Sequence, residues 1–81
     1  MFHVILHNDD VTTTEFVVRL LITVFRKSVP AAQEIMLTAH HKGSVTVGTY
    51  TYDVAYTRKV KATLMANKAG FPLKITMEEA N

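Results

Sequence analysis

The sequence contains no cysteine. Disulfide bonds and thiolate metal sites are therefore excluded, and the chain suits a reducing compartment. No apolar run approaches the roughly 20 residues that a membrane-spanning helix needs. The first residues carry no basic leader ahead of an apolar stretch, so we expect no secretory signal. These absences predict a location in the cytoplasm, or in the plastid stroma if the source is eukaryotic, with no association with a membrane.

Neither sign of charge dominates, because 9 Lys and Arg residues are set against 7 Asp and Glu residues. Tryptophan is absent and aromatic residues make up only 9% of the chain. The basic residues are scattered in short groups, whereas nucleic-acid binders carry a dense basic stripe with stacking aromatic side chains. We therefore do not expect nucleic acid among the partners.

The 81 residues can bury only one hydrophobic core, so residues 1–81 are expected to form a single domain. Hydrophobic residues make up 48% of the chain, which is typical of a folded globular protein rather than a disordered one. We also expect a monomer.

Three segments, 2–7, 45–50 and 73–77, show residues that alternate between two faces, which predicts strands. Between them, three segments carry apolar residues at helical spacing. The order β-α-α-β-α-β predicts an α+β fold, a two-layer sandwich in which a three-stranded antiparallel sheet packs against three helices. We expect residues 78–81 to be frayed.

The helix boundaries follow from capping residues. Thr12 with Glu15 matches a capping box, and the first helix is expected to run to about Lys27. Ser28 caps the second helix, in which Pro30 falls in the first turn and Gly43 ends the helix. Thr51 caps the third helix, whose buried side is expected to include Val54.

Two groups of polar residues could carry chemistry. Asn8, Asp9 and Asp10 follow the first strand, where carboxylate and amide oxygens could hold a compact cation such as an α-amino group, or simply turn the chain. His40 and His41 lie late in the second helix, and only His40 shares a face with Met36. A neutral imidazole there could bond an amine, or could merely sit at the edge of the core.

A metal-dependent hydrolase that uses His3, His7, His40 and Asp9 is an alternative from another functional class, since zinc accepts histidine and aspartate ligands. The sequence lacks the compact ligand spacing of a recognised metal site. It also lacks a Gly-x-Ser-x-Gly elbow and a Gly-rich phosphate loop. We therefore expect no metal, no other cofactor and no catalytic residue.

The chain resembles the ClpS family of N-degron adaptors over nearly its whole length. The most specific similarity is an Asn-Asp-Asp turn followed, at the matching separation, by a Met-x-x-x-His-x-x-Gly stretch. The residues that carry the resemblance are Val4 to Asp10, Thr12, Glu15 to Val17, Ile35 to Gly43, Gly48 to Thr51, Asp53 to Ala55 and Phe71 to Leu73.

The resemblance implies an adaptor that holds the free N-terminal residue of a substrate, typically Leu, Phe, Tyr or Trp, and delivers it to a Clp-type AAA+ unfoldase and protease. The matching amine-binding residues are Asn8, Asp9 and His40, with Asp10 shaping the turn. Asp53 and Arg58 match positions that dock on the N-terminal domain of a ClpA- or ClpC-like unfoldase. The hydrophobic pocket for the first side chain corresponds to Thr12, Thr14, Val17, Met36 and Leu73.

The sequence departs from the family pattern in two places. Thr13 and Thr14 stand where family members usually carry Pro-Met, and the shorter polar side chain predicts a wider pocket mouth with altered selectivity. Members also usually begin with a flexible extension that the unfoldase engages, whereas these 81 residues start at the first strand. An alternative reading is a paralogue that docks on the unfoldase and modulates it, with altered or lost specificity for N-degrons.

Overall fold

The computed structural model describes residues 1–81 and contains three strands and three helices. The strands form one antiparallel sheet in the order β2-β1-β3, so the first strand is central. The α+β class and the order of elements expected from the sequence are confirmed. The elements are β1 (Phe2–His7), α1 (Thr14–Thr23), α2 (Val29–Lys42), β2 (Ser44–Tyr50), α3 (Tyr52–Ala69) and β3 (Lys74–Glu79).

The core lies between the sheet and the helices. Val4 and Leu6 alternate along β1 towards the helices and are fully buried, as are Leu20 and Leu21 of α1. Five of the fifteen buried residues are alanines, which let the helices approach the sheet closely. These alanines are Ala32 and Ala39 of α2 and Ala55, Ala62 and Ala66 of α3.

The register of β1 with β2 shifts between Val4 and Ile5, which pair with Gly48 and Thr46. Val47 is therefore an extra residue in a β-bulge, and its side chain is buried. The pairing of β1 with β3 has no such shift. The two outer strands thus differ, since β2 is irregular and β3 is regular.

The start of α1 corrects the expected capping residue. Thr13, rather than Thr12, occupies the N-cap position, and its hydroxyl accepts a hydrogen bond from the Phe16 amide at 3.2 Å. The Thr12 hydroxyl instead donates to the Asp9 carboxylate at 2.7 Å. Because that hydroxyl is already committed to the preceding turn, the next threonine caps the helix.

The end of α1 is also earlier than expected, at Thr23 instead of about Lys27. Three β-branched residues in succession, Ile22, Thr23 and Val24, weaken the helix at this point. Arg26 then adopts a left-handed conformation with φ 55°, and the Lys27 amide bonds back to the Leu21 carbonyl at 3.1 Å.

Two further expectations are wrong. Val54 is 40% exposed rather than buried, because it lies beside Ala55, which takes the buried position of that turn. The C-terminal residues do not fray as a unit, since β3 continues to Glu79 and the Ala80 amide donates to the Met1 carbonyl at 2.9 Å. No helix combines the length and the apolar character that crossing a bilayer requires.

The cap at Thr13 predicts a measurable contribution to stability. Thr13→Ala removes the acceptor for the Phe16 amide, and we expect the free energy of unfolding to fall by about 1 kcal/mol. The matched control is Thr14→Ala, which removes a neighbouring hydroxyl that makes no capping bond. Urea unfolding measures both, and equal losses of stability would contradict the assignment of the cap to Thr13.

Candidate functional site

The turn after β1 is organised around the carboxylate of Asp9. One oxygen, Oδ1, accepts hydrogen bonds from the Val11 amide at 2.8 Å and the Thr12 amide at 2.6 Å. The other, Oδ2, accepts the Thr12 hydroxyl at 2.7 Å. A carboxylate offers about four acceptor positions, so one direction of Oδ2 stays available for a ligand. Asp9 therefore holds the loop in shape while it retains the capacity to bind a donor.

The same bonds keep Asp9 ionised. Partial burial opposes the charged form, but the Thr12 amide, the Thr12 hydroxyl and the Val11 amide together outweigh it and lower the pKa of Asp9 below its ordinary value of 3.8. Asp9 thus carries its negative charge at neutral pH. Asp10 beside it is exposed and adds a second carboxylate to this turn.

The turn is fastened to the end of α2 by a backbone hydrogen bond. The Asn8 amide donates to the Gly43 carbonyl at 2.9 Å, and Gly43 is the left-handed residue that ends the helix, with φ 89°. His40 lies in the last turn of α2, three residues before Gly43. The bond therefore brings the Asn-Asp-Asp turn and the His40 turn of α2 to the same end of the molecule.

Asn8 and His40 both present exposed side chains at this end of the molecule. The imidazole of His40 meets that of His41 edge-on, with ring centroids 5.6 Å apart. An amide oxygen, an ionised carboxylate and an imidazole nitrogen are acceptors for the three N–H donors of an ammonium group. The arrangement is chemically suited to a small cation with several donors.

A groove runs between the start of α1 and the middle of α2. Its lining residues are Thr14, Glu15, Val18, Arg19, Gln33 and Met36. Two of the expected pocket residues, Thr14 and Met36, thus face one concavity. The other three lie elsewhere, since Thr12 is bonded to Asp9, while Val17 and Leu73 are buried in the core at 7% and 6% exposure.

Four residues of this groove were missed by the sequence reasoning. Val18 lies four residues after Thr14 and therefore shares its side of α1, a signal that helical spacing could have supplied. Arg19 and Glu15 border the same side of the helix, and Gln33 lies on α2 three residues before Met36. Their charged and polar side chains make the rim of the groove hydrophilic.

A second groove, of about 510 Å³, lies between the end of α1 and the start of α3 and contains both expected docking residues. Asp53 is exposed in the first turn of α3. Arg58 has structural contacts as well, because its Nη1 donates to the Val24 carbonyl at 2.8 Å and its guanidinium lies 5.3 Å from the centre of the Tyr50 ring. The other lining residues are Thr23, Val24, Arg26, Val54, Thr57 and Lys61.

The histidines proposed for a metal site are not assembled with the others. The His3 Nδ1 is hydrogen-bonded to the Thr49 hydroxyl at 2.7 Å, and the His7 Nε2 to the Thr76 hydroxyl at 2.8 Å. Both project from the side of β1 opposite Val4 and Leu6, away from the helix that carries His40. No group of three or more His, Cys, Asp or Glu residues is placed to hold a metal ion.

The fold is that of a small α+β protein with an acceptor-rich turn and an interhelical groove. The family model described as "ATP-dependent Clp protease adaptor protein ClpS" matches residues 1–76. Adapter proteins ClpS of Desulforapulum autotrophicum and Desulfatibacillum aliphaticivorans are 52% and 54% identical, over 98% and 96% of this chain and 76% and 75% of their own lengths. The chain belongs to the ClpS family of Clp protease adaptors.

A solved structure agrees with this assignment. Agrobacterium tumefaciens ClpS2, determined bound to L-phenylalaninamide, superposes with a TM-score of 0.92 at 43% sequence identity. The match covers 95% of this chain and 93% of that one. Family membership, the α+β fold and the role as a Clp protease adaptor are therefore established together.

The lowered pKa of Asp9 predicts a pH-dependent contribution to stability. Because the folded pKa lies below the unfolded value, this contribution is present above about pH 4 and is lost as the pH falls through the folded pKa. We expect Asp9→Asn to destabilise the protein at pH 7 and the difference from wild type to shrink in acid. Urea unfolding at both pH values measures this, with Asp10→Asn as the matched control. A difference for Asp9→Asn that stays constant with pH would contradict the assignment.

Proposed function

We propose that this adaptor binds the free N-terminal residue of substrate proteins and delivers them to a Clp AAA+ unfoldase. Asn8, Asp9 and His40 hold the α-amino group, and the groove at Thr14 and Met36 receives the first side chain. The observation that carries this proposal is the hydrogen bond from Asn8 to Gly43, because it sets the ionised turn beside the last turn of α2.

The ligand of the Agrobacterium relative supports this proposal. L-phenylalaninamide carries a free amine, an aromatic side chain and an amide in place of a carboxylate, so it has the chemistry of an N-terminal phenylalanine in a peptide. An α-amino group has a pKa of about 7.7–8.0 and is largely protonated at neutral pH. It therefore complements the negative charge of Asp9.

The expected interactions are strong enough for a working adaptor. Burial of a Leu or Phe side chain contributes roughly 1.5–3 kcal/mol. Each hydrogen bond to the charged amine adds about 1.5–3 kcal/mol before the cost of ordering the peptide. Micromolar affinity requires about 8 kcal/mol. A small groove and three acceptors can reach this value, so bulky hydrophobic first residues such as Leu, Phe, Tyr and Trp are the proposed ligands.

Thr12, Val17 and Leu73 support the site without lining its mouth. Val17 of α1 and Leu73, which directly precedes β3, are buried members of the hydrophobic core. Thr12 and Asp10 belong to the turn, and Thr12 fixes the Asp9 carboxylate through two hydrogen bonds. These residues are proposed to set the shape of the site.

The groove between α1 and α3 is the proposed docking surface for the unfoldase to which the substrate is delivered. Asp53 and Arg58 lie there, on elements other than the His40 end of α2, so a partner could bind while substrate is held. The proposed partner is the N-terminal domain of a ClpA- or ClpC-like unfoldase in the cytoplasm. The adaptor itself catalyses no reaction in this scheme, and the energy of unfolding comes from the ATPase.

The proposed binding of the α-amino group by Asn8, Asp9 and His40 is tested by fluorescence anisotropy with a Leu-initiated peptide. Acetylation of the peptide removes the charge and two N–H donors of its α-amino group, and we expect the affinity to fall by at least about a hundredfold. An Ala-initiated peptide is also expected to bind more weakly than the Leu-initiated one. Asn8→Ala and His40→Ala are each expected to weaken binding by about tenfold or more. His41→Ala is the matched control. Equal affinity for the free and acetylated peptides would refute the proposal.

Selectivity is tested at Thr14. Methionine would add apolar area at the groove and narrow its mouth, so Thr14→Met is expected to change the ratio of affinities for Phe-, Leu-, Ile- and Val-initiated peptides. Thr57→Met, an exposed threonine of the other groove, is the control and should leave the ratio unchanged. Identical preference profiles for wild type and Thr14→Met would contradict a role for this position in selectivity.

A further inference from the structure

The groove between α1 and α3, called the docking groove below, holds the whole excess of positive charge of the chain. Its lining includes three basic residues, Arg26, Arg58 and Lys61, but only one acidic residue, Asp53. The basic and the acidic side chains elsewhere in the sequence number six each and therefore balance. The formal net charge of +2 is thus concentrated at one surface, where it acts on whatever approaches.

Arg26 has an unusual backbone conformation within this group. It is exposed, and it is the one residue other than glycine with a positive φ, at 55°. The left-handed conformation suits glycine and costs energy for a residue with a long side chain. The Lys27 amide, bonded to the Leu21 carbonyl at 3.1 Å, holds the turn in this shape. A charged side chain at a strained position on a groove indicates a role in binding.

Arg58 is held in place while most of its donors stay available. Its Nη1 donates to the Val24 carbonyl at 2.8 Å, and its guanidinium lies 5.3 Å from the centre of the Tyr50 ring. A guanidinium group has five N–H donors, so the others can bond a carboxylate of a partner. Lys61 is exposed and lies three residues further along α3, which makes it a neighbour of Arg58 on the helix surface.

The docking groove also has an apolar part, formed by Val24 and Val54. Val54 is 40% exposed, so its side chain is accessible to a partner. Apolar side chains surrounded by charged and polar ones are typical of a protein–protein interface. A free inorganic anion would use the cations but would gain nothing from the two valines. The lining therefore favours a protein surface as the occupant.

We propose that the docking groove recognises an acidic surface of the unfoldase, and that Arg26 and Lys61 together with Arg58 set this preference. The inference rests on the delivery function proposed above and defines the chemistry of the partner. The partner presents carboxylates to the three cations and a basic side chain to Asp53. Because Asp53 and Lys61 are eight residues apart, or roughly 12 Å along α3, this order of charges fixes the orientation of the partner.

The preference is tested by charge reversal against full-length unfoldases of the ClpA type and of the ClpC type. The chain has no cysteine, so a dye on Asn81→Cys labels the adaptor at one site for fluorescence anisotropy. Arg26→Glu and Lys61→Glu are each expected to weaken binding by about tenfold or more. Lys74→Glu, at an exposed lysine of β3 outside the groove, is the matched control because it changes the net charge equally. We expect it to bind nearly as tightly as wild type.

Salt provides a second measurement of the same interaction. Raising NaCl from about 50 mM to about 500 mM should weaken the binding of wild type by about tenfold and the binding of each groove variant by clearly less. Binding of a Leu-initiated peptide by every variant establishes that the fold and the peptide site are intact. Equal affinity of wild type and both groove variants, or equal weakening by Lys74→Glu, overturns the proposal. If wild type binds neither unfoldase, the delivery function itself is refuted, and the inference with it.

A substitution by glycine separates binding from folding at Arg26. Glycine adopts a φ of 55° without strain, so Arg26→Gly should unfold at the same urea concentration as wild type or at a higher one. Its affinity for the unfoldase should nevertheless fall by about fivefold or more, whereas Arg26→Lys keeps the charge and should bind nearly as wild type does. A purely structural role of Arg26 would lower the stability and leave the affinity unchanged, and that result would refute the proposal.

Discussion

The hydrogen bond from the Asn8 amide to the Gly43 carbonyl joins two parts of the chain that are distant in sequence and that together form the acceptor-rich end of the molecule. It requires that α2 end where it does, and the left-handed conformation of Gly43 provides that ending without steric cost. The pairing of His7 with Ser44, at the adjoining ends of β1 and β2, holds the same two parts of the chain together. The relative position of the turn and the last turn of α2 is therefore set by backbone contacts, and the polar side chains are placed by them.

Asp9 has two tasks that reinforce each other. Three hydrogen bonds from Val11 and Thr12 shape the turn, and the same bonds favour the charged form of the carboxylate. A negative charge that is already held in position costs little to reorganise when a cationic ligand arrives. Thr12 belongs to this unit as well, which explains why α1 begins one residue later than the capping pattern suggested.

The sequence predicted the elements, their order and the fold class because hydrophobic periodicity and capping residues report directly on local structure. The prediction of the residue that caps α1 was wrong, because two neighbouring residues are suited to that position. Thr12 and Thr13 are both good caps, and only the tertiary position of Asp9 decides between them. The pocket residues were predicted through family resemblance, which named Thr14 and Met36. The resemblance did not distinguish these groove-lining residues from Val17 and Leu73, which are buried in the core. Arg58 was named from the resemblance only as a docking residue, and its bond to Val24 depends on a contact across 34 positions of the chain.

The buried side of α3 consists of Ala55, Ala62 and Ala66, so the smallest chiral side chains set the distance between this helix and the sheet. No large residue fits there without displacement of the whole helix, because the interior is already close-packed. The outward side of α3 is not under this packing constraint, although Asp53 and Arg58 on it belong to the proposed docking groove. Over evolutionary time, related proteins could therefore acquire or lose binding partners along this helix while the architecture beneath it is inherited unchanged.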